Sequence, residues 1–366
     1  MKKIHILISA VITILLVWFL LKELKAAGLK QEDLFDIVLN TDKPLFFTYL
    51  TMSLTALVVR SWRYLVLLHR VDETSGHIGF SKMTVVTAIR NALVDMFPAR
   101  LGEASFFYVL KRFGINLISA TSVFSLCLAL DLAVLAIVFS VVLLALLIGG
   151  GAGSGLELNW AVILGAGLFS SFLLTALYYS DKVVAKVLEY TGKIPTKGGI
   201  DRLKVKLTDF ASRIGEDLEK TRETGSYPLL IFQTLILRVA KYGSLYVLVL
   251  AVVKQWGLGA SDIDPLITSV SFILAEATAS LPISGLMGFG AYEGAWSIIM
   301  KMSESRIPAT LSLALIVHVL TQLVGYTVGL VGAIALVAMG FSRMGPQTDE
   351  PDNERAKTTK YERGTQ

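Results

Sequence analysis

The sequence has 366 residues, of which 54% are hydrophobic and 17% charged, and its mean hydropathy is +0.64. A soluble domain of ordinary composition has fewer apolar residues, so this balance favours a membrane protein. The net charge of +5 needs no nucleic acid partner, because membrane proteins carry excess Lys and Arg in cytoplasmic loops. Cys127 is the single cysteine, which excludes an intrachain disulfide and a cysteine-based metal site.

Long apolar runs predict an all-α, polytopic transmembrane bundle with six full spans. About 20 apolar helical residues cross a hydrocarbon core of about 30 Å, and strand-like alternation is absent, which argues against a barrel. The predicted spans are residues 4–21, 44–68, 117–148, 158–180, 227–252 and 308–340. The first follows Lys2 and Lys3 and is longer than a typical secretion signal, so we expect an uncleaved signal-anchor.

Two further apolar stretches are interrupted by proline. Residues 83–98 end at Pro98, and residues 265–283 contain Pro282 and run into a glycine-rich segment. Each is followed by a short second helical piece. These pieces are residues 102–112 and 291–302. Broken segments of this kind are typical of hairpins that enter and leave by one face or line a cavity, so we predict two re-entrant hairpins.

The two predicted hairpins share a spacing of charged residues. Glu103 and Lys111 are eight residues apart in the first hairpin, and Glu293 and Lys301 are eight apart in the second. A proline precedes the glutamate in both. This similarity raises the hypothesis of an inverted repeat, an arrangement in which transporters commonly place their site between the two halves.

The distribution of positive charge predicts the orientation. The linker 181–226 carries ten Lys or Arg, whereas segments 149–157 and 253–264 carry almost none. By the positive-inside rule the linker and both termini are cytoplasmic, and the two short segments are outside. We expect a membrane domain at 1–341, in which the linker is amphipathic, and a disordered cytoplasmic tail at 342–366.

Ionisable residues within predicted membrane segments are the best candidates for a site. Each costs about 2.5–3.5 kcal/mol at mid-bilayer, so it normally faces a partner or a watery cavity. Arg238 and Lys241 are three residues apart and share a helix face, and two adjacent cations exceed what one acid partner needs. Our candidate binding residues are Arg100, Glu103, Arg238, Lys241 and Glu293, with Asp131, Glu276 and His318 as secondary candidates.

Three of the deep or near-deep charges have a simpler interpretation. For Asp131 we favour an ion pair that holds the bundle together. Arg60 and Arg63 lie near the predicted inner end of their span, so we expect them to snorkel to the lipid headgroups.

The last predicted span carries two further patterns. His318, Gln322 and Tyr326 recur every four residues, which predicts a structural, hydrogen-bonded stripe in preference to a proton relay. Gly325 and Gly329 form a small-xxx-small pair, which predicts a close helix contact.

Four segments resemble the lysylphosphatidylglycerol synthase transmembrane family, also called flippase-like domain proteins. They are RSWRY (60–64), NALVDMFPARLGEASFFYVLKR (91–112), LALDL (128–132) and LPISGLMGFGAYEG (281–294). The likeness extends from about residue 40 to 340, and its P-x-R-x-G-E core at 98–103 is more specific than the pattern of the second hairpin. The sequence departs from the family after Pro282, where Ile-Ser-Gly replaces a common proline-glycine pair, and at His318, where members commonly have arginine.

This resemblance implies an integral inner-membrane protein whose relatives flip aminoacylated phospholipid or assist glycolipid and polyprenyl-lipid pathways. Synthase members carry a large soluble domain after the membrane part, so we expect this chain to hold only the membrane module and not to be an enzyme. The four histidines are scattered, so we expect no metal site. The sequence also shows no phosphate loop and no nucleophile motif, and we expect no cofactor.

The leading hypothesis is a translocator that moves or presents an anionic phospholipid or a polyprenyl or glycolipid. Arg100, Arg238 and Lys241 would contact phosphate, and Glu103 and Glu293 would hold an amine or sugar or exchange protons. Three alternatives stay open. A secondary transporter of a small solute would use the same acids, a lipid-modifying enzyme would alter the lipid covalently, and a scaffold would serve a glycosyltransferase or lipid-synthesis partner.

Overall fold

The computed structural model describes residues 36–148, 199–279, 289–302, 307 and 310–340, together with single residues between 164 and 190. Within these residues the regular structure is helical, with no strand. The labelled helices are α1 (Lys43–Val71), α2 (Phe80–Met96), α3 (Ala104–Arg112), α4 (Leu117–Ile148), α5 (Gly199–Glu223), α6 (Tyr227–Val253), α7 (Pro265–Ala279), α8 (Ala291–Met302) and α9 (Thr310–Ala338). The all-α prediction is confirmed for this part of the chain.

Four of these helices, α1, α4, α6 and α9, are long and apolar enough to cross a membrane. They correspond to the predicted spans 44–68, 117–148, 227–252 and 308–340. The predicted span 4–21 lies outside the described residues, as does most of 158–180. The predicted tail 342–366 lies outside them too.

The boundaries of α1 follow from local chemistry. The Asp42 carboxylate accepts a hydrogen bond from the Leu45 backbone N–H at 3.0 Å, and Pro44 occupies the first turn, where its missing N–H costs nothing. Lys254, just beyond α6, pairs with the same carboxylate at 2.5 Å. The start of α1 and the end of α6 therefore lie together, and the two helices run antiparallel.

Pro98 breaks the first hairpin as predicted. Helix α2 ends at Met96, Phe97 is extended because the residue before a proline avoids the helical region, and a 3-10 helix covers Pro98–Glu103. Helix α3 then runs back, and the His77 ring contacts the Phe113 carbonyl oxygen at 2.6 Å. Both ends of this helical hairpin therefore lie on one face of the molecule.

Gly102 closes the hairpin against α2. A Cβ atom added at Gly102 would lie 2.0 Å from the Leu93 carbonyl carbon and 2.1 Å from its oxygen. Because both are backbone atoms, no side-chain movement could relieve that clash. The P-x-R-x-G-E pattern therefore has glycine at position 102 because the backbone there lies against the backbone of Leu93.

Of the second hairpin, the structure describes the two helices α7 and α8. The described part of α7 has 15 residues and that of α8 has 12, about 22 Å and 18 Å of helix, each shorter than a hydrocarbon core of about 30 Å. The connection 280–288, with the predicted break at Pro282, lies outside the described residues. Trp296 of α8 is fully buried and packs on Phe272 of α7, with ring centroids 5.8 Å apart.

Helix packing divides the bundle into two halves. Helices α1 to α4 share one apolar core, which includes Leu67 and Leu130, and helices α6 to α9 contribute most of the second, which includes Leu248 and Trp296. Between the halves, α1 packs on α6, α2 on α9, and α7 on α4. The deep charged residues lie along these contacts.

Helix α9 meets α2 through glycine. A Cβ added at Gly329 would lie 2.2 Å from the Ala92 Cβ, so the close contact predicted from Gly329 is present. Gly325 makes no such approach, since the Asp95 Oδ2 would be 3.9 Å from its added Cβ. The second glycine in the close contact between α9 and α2 is Gly332, which faces Ala88.

The opposite face of α9 is apolar and exposed. Its exposed side chains include Leu323, Leu330, Val331, Ile334 and Val337, each at least 60% accessible. A contiguous row of this kind is unfavourable in water and suits contact with lipid chains.

Helix α5, in the linker, is strongly amphipathic and rests on the start of α4. The Ser122 hydroxyl donates to the Asp217 carboxylate at 2.6 Å. Burial raises the pKa of the Asp217 carboxyl above its usual value, although the hydrogen bond from Ser122 acts in the opposite direction.

Candidate functional site

The deepest charge pair joins α1 to α4. Arg63 is fully buried, and its guanidinium donates two hydrogen bonds to Asp131, at 2.8 Å and 3.0 Å. The same guanidinium donates to the Thr234 hydroxyl of α6 at 2.7 Å. Such bidentate geometry is what allows two charges to remain ionised away from water.

Arg238 extends the pair into a network. Its guanidinium donates to the Asp131 backbone oxygen at 3.1 Å and lies 3.9 Å from the Asp131 carboxylate. On its other side it lies 3.7 Å from the Glu276 carboxylate of α7 and 3.4 Å from the Tyr242 hydroxyl. Arg238 therefore bridges an acid of each half.

Lys241 lies at the accessible end of the network. Its ammonium pairs closely with Glu276, which also accepts a hydrogen bond from Tyr242 at 3.2 Å. The Lys241 side chain is 34% exposed, in contrast to 0% for Arg63. We call the five ionisable residues linked by these contacts the central network. They are Arg63, Asp131, Arg238, Glu276 and Lys241.

A second cluster lies in the first hairpin. The guanidinium groups of Arg60 and Arg90 both donate to the Asn91 amide oxygen, at 2.9 Å and 3.2 Å. Arg90 also donates to Glu103 at 3.2 Å, which connects α2 to the 3-10 segment after Pro98. Glu103 thus lies in a hairpin whose arms it helps to hold together.

A third cluster joins α8 to α9. Glu293 is 1% exposed and contacts the His318 Nδ1 with one oxygen, while its other oxygen accepts from the Gly290 backbone N–H at 2.5 Å. The stripe continues from the His318 Nε2 to Gln322 at 2.8 Å and from Gln322 to the Tyr326 hydroxyl at 2.7 Å. The predicted hydrogen-bonded stripe is therefore present and leads to Glu293.

The structure brings some of the predicted site residues together and separates others. Arg238 and Lys241 share the central network with the secondary candidates Asp131 and Glu276, so the two cations have two acid partners. Glu103 and Glu293 belong to the other two clusters. The side chain of Arg100 lies outside the described residues.

Asp95, at the end of α2, lies between the three clusters. Its carboxylate is in electrostatic range of Lys241 of the central network, Arg60 of the hairpin cluster and His318 of the stripe. It is also exposed, although it belongs to a membrane segment. Asp95 therefore connects the three clusters electrostatically.

Two interpretations of α1 need correction. Arg63 was expected to snorkel to the headgroups, but it is fully buried and bonded to Asp131, because the acid on α4 satisfies it inside the bundle. Arg60 also turns inward, where its guanidinium donates to the Asn91 amide oxygen of α2. A signal for this was present, since α1 carries Arg-x-x-Arg-Tyr at 60–64 and α6 carries Arg-x-x-Lys-Tyr at 238–242.

Metal ligands do not group together in this part of the chain. Across the residues the structure describes, no three or more His, Cys, Asp or Glu side chains come together in a way that would hold a metal ion.

Long apolar helices, short paired helices and a charged interior define a multi-pass helical membrane protein. The family model described as the lysylphosphatidylglycerol synthase TM region matches residues 6–329. The chain belongs to this family, which places it among membrane proteins of lipid-related function. No curated protein matches the chain closely enough to add a relative of stated activity.

Proposed function

We propose that the protein moves a lipid with an anionic headgroup across the bilayer, without altering the lipid covalently. One observation carries the proposal. The central network lies within the membrane helices, holds three cations and two carboxylates, and ends at the partly exposed Lys241. Membership of a lipid-related membrane family supports the same conclusion.

Exposure of a cation favours an anionic ligand. The ion pairs of the central network join three cations to two carboxylates, and the Asp95 carboxylate lies in electrostatic range of Lys241. Because the Lys241 side chain is 34% exposed, a phosphate that reaches it can pair with the ammonium. The neighbouring Arg238 offers further N–H donors to the same phosphate.

For the membrane arrangement we propose six spans and two re-entrant hairpins, related as inverted repeats. This proposal is supported by the packing of α2 on α9 and of α7 on α4, because exchanging the two halves turns one contact into the other. The Arg-x-x-Arg-Tyr and Arg-x-x-Lys-Tyr motifs occupy the paired helices α1 and α6. Inverted repeats with broken helices are a common way to build alternating access.

The orientation that we propose has both termini cytoplasmic in a cell inner membrane. Ser122 near the start of α4 contacts Asp217 of the basic linker, which assigns these two regions to one face. The pairing of Asp42 with Lys254 assigns the start of α1 and the end of α6 to one face as well. The excess of Lys and Arg in the linker makes its face the cytoplasmic one.

Lipid-dependent thermal unfolding of the purified protein tests the cargo class. We expect an anionic phospholipid to raise the melting temperature more than zwitterionic phosphatidylcholine, because a ligand that binds the folded state stabilises it. The rise should shrink in Lys241→Gln and Arg238→Gln, and shrink further in the double variant. Lys241→Gln is the cleaner probe, since Arg238 also bonds to the Asp131 backbone.

Lys254→Gln is the matched control, because Lys254 follows the same helix but pairs with Asp42 outside the network. It should keep the full response to anionic lipid. Equal stabilisation by both lipids, unchanged in Lys241→Gln and Arg238→Gln, would show that the two cations serve packing and that the proposal is wrong.

A further inference from the structure

We propose that the buried pair of His318 and Glu293 is a proton-binding site, and that proton uptake there drives the movement of the lipid. This inference rests on the proposed function for the driving step, while the proton site itself stands on the geometry of α8 and α9. The pair exchanges a proton with water and forms or breaks no other covalent bond.

The hydrogen bonds of the stripe accommodate the pair with or without the extra proton. When the Gln322 amide N–H donates to His318 Nε2, the imidazole proton is on Nδ1 and faces the Glu293 carboxylate. A second proton on Nε2 needs an acceptor, which the Gln322 oxygen supplies after the amide turns over. Tyr326 can then accept from the amide, because a hydroxyl both donates and accepts.

Protonation of the pair bears directly on the second hairpin. Glu293 is in the first turn of α8, and its carboxylate caps that turn through the Gly290 N–H. A negative charge there is favourable beside the positive end of the helix dipole. A positively charged imidazolium attracts the same carboxylate more strongly than a neutral ring does, so the protonation state of the pair changes how strongly Glu293 holds the start of α8.

Charged and titratable groups face the pair from each neighbouring helix. Asp95 of α2 is in electrostatic range of His318. The Tyr292 ring of α8 lies 4.5 Å from the His318 ring, and Tyr292 is in turn within range of Glu276 of α7 and Tyr242 of α6. Lys241 lies within range of Asp95 and pairs with Glu276, so the proton site and the central network influence each other.

A purely structural contact between α8 and α9 needs no titratable residue. Ser297 of α8 and Thr310 of α9 already form such a contact, with their hydroxyls 3.1 Å apart in a buried position. Placing an acid and an imidazole in the same interface costs more desolvation than a pair of hydroxyls. A role in proton exchange explains why the desolvation of His318 and Glu293 is tolerated in this interface.

The first measurement is proton uptake by detergent-solubilised protein, which needs no lipid transport. When the pH falls from about 8 to about 5, we expect uptake attributable to this pair of about one proton per chain. The uptake should be lost in His318→Gln and altered in Glu293→Gln, which keeps the capping oxygen. Infrared spectroscopy of the carboxyl C=O stretch provides a second readout. Absence of any pH-dependent difference between the wild type and His318→Gln would overturn the site.

The second measurement is lipid movement in proteoliposomes under an imposed pH gradient. The wild type and the control Ser297→Ala should respond to the gradient, whereas both variants of the pair should move lipid at a rate that the gradient does not change. A gradient response retained in both variants would overturn the coupling. Proton uptake in a wild-type protein that moves no lipid would support the proton site and overturn the proposed function.

Discussion

At the scale of single residues, the decisive feature is how each deep charge is satisfied. Arg63 has a bidentate acid partner and a hydroxyl, and no exposed surface. Lys241 has one acid partner and is one-third exposed. In our proposal, residues of the first kind hold the bundle together and residues of the second kind bind the ligand.

Asp131→Asn tests the structural end of the central network. The substitution leaves the buried Arg63 guanidinium facing a neutral amide, and breaking a buried pair costs about 3–5 kcal/mol. Denaturant unfolding in detergent should show a loss of stability in this range. Glu216→Gln, an exposed acid in α5, should show almost none. If Asp131→Asn were as stable as Glu216→Gln, the pair would have no structural role.

The raised pKa of the Asp217 carboxyl predicts that the contact between α5 and α4 depends on pH. Because burial raises the pKa of this carboxyl in the folded state, its contribution to stability is complete below the unfolded pKa and is lost as pH rises through the raised value. Asp217→Asn keeps an acceptor for Ser122 and has no charge to bury. At neutral pH it should therefore stabilise the contact, by at most about 1 kcal/mol since water screens a half-buried group.

Hydrogen exchange of the α5 amides measures this effect. The protection of the wild type should approach that of Asp217→Asn as the pH is lowered, because the wild-type carboxyl then becomes neutral. A difference in amide protection between the wild type and Asp217→Asn that stays constant with pH would mean that the charge of Asp217 does not destabilise the contact between α5 and α4.

At the scale of elements, the first hairpin depends on one glycine. An alanine at position 102 would place its Cβ within the backbone of Leu93, so Gly102→Ala must separate α2 from the 3-10 segment. We expect a loss of about 3 kcal/mol or more in denaturant unfolding. Gly76→Ala is the control, since nothing lies within 4 Å of a Cβ at that position. Unchanged stability of Gly102→Ala would contradict the close approach.

The elements themselves were largely predictable from the sequence. The lengths of the apolar runs predicted the four described spans, and Pro98 predicted the break after α2, because both depend on short-range properties of the chain. The partners of deep charges were not predictable in the same way. The snorkelling prediction for Arg63 is wrong because its acid lies 68 residues away on another helix. The sequence marks Glu293 and His318 as separate candidates, but their contact depends on how α8 packs against α9.

At the scale of the whole molecule, two halves meet along helices that carry the charged clusters. Arg63 of α1 bonds to Thr234 of α6, and Arg238 of α6 lies near Asp131 of α4. The packing of α2 on α9 brings Asp95 near Gly325. We propose that a relative movement of the halves changes the surroundings of Lys241 and of His318 together, and so links the binding of an anionic headgroup to the state of the proton site.

Leaflet-resolved lipid movement in proteoliposomes tests the central claim most directly. Fluorescent phosphatidylglycerol and phosphatidylcholine are compared by quenching from outside, in vesicles with wild-type protein, Lys241→Gln, Lys254→Gln or no protein. We expect the wild type and Lys254→Gln to move phosphatidylglycerol in preference to phosphatidylcholine. Lys241→Gln should be slower by about tenfold, which corresponds to about 1.4 kcal/mol and is of the size of one charge-assisted hydrogen bond. Equal movement of both lipids, with Lys241→Gln as fast as the wild type, would contradict the account.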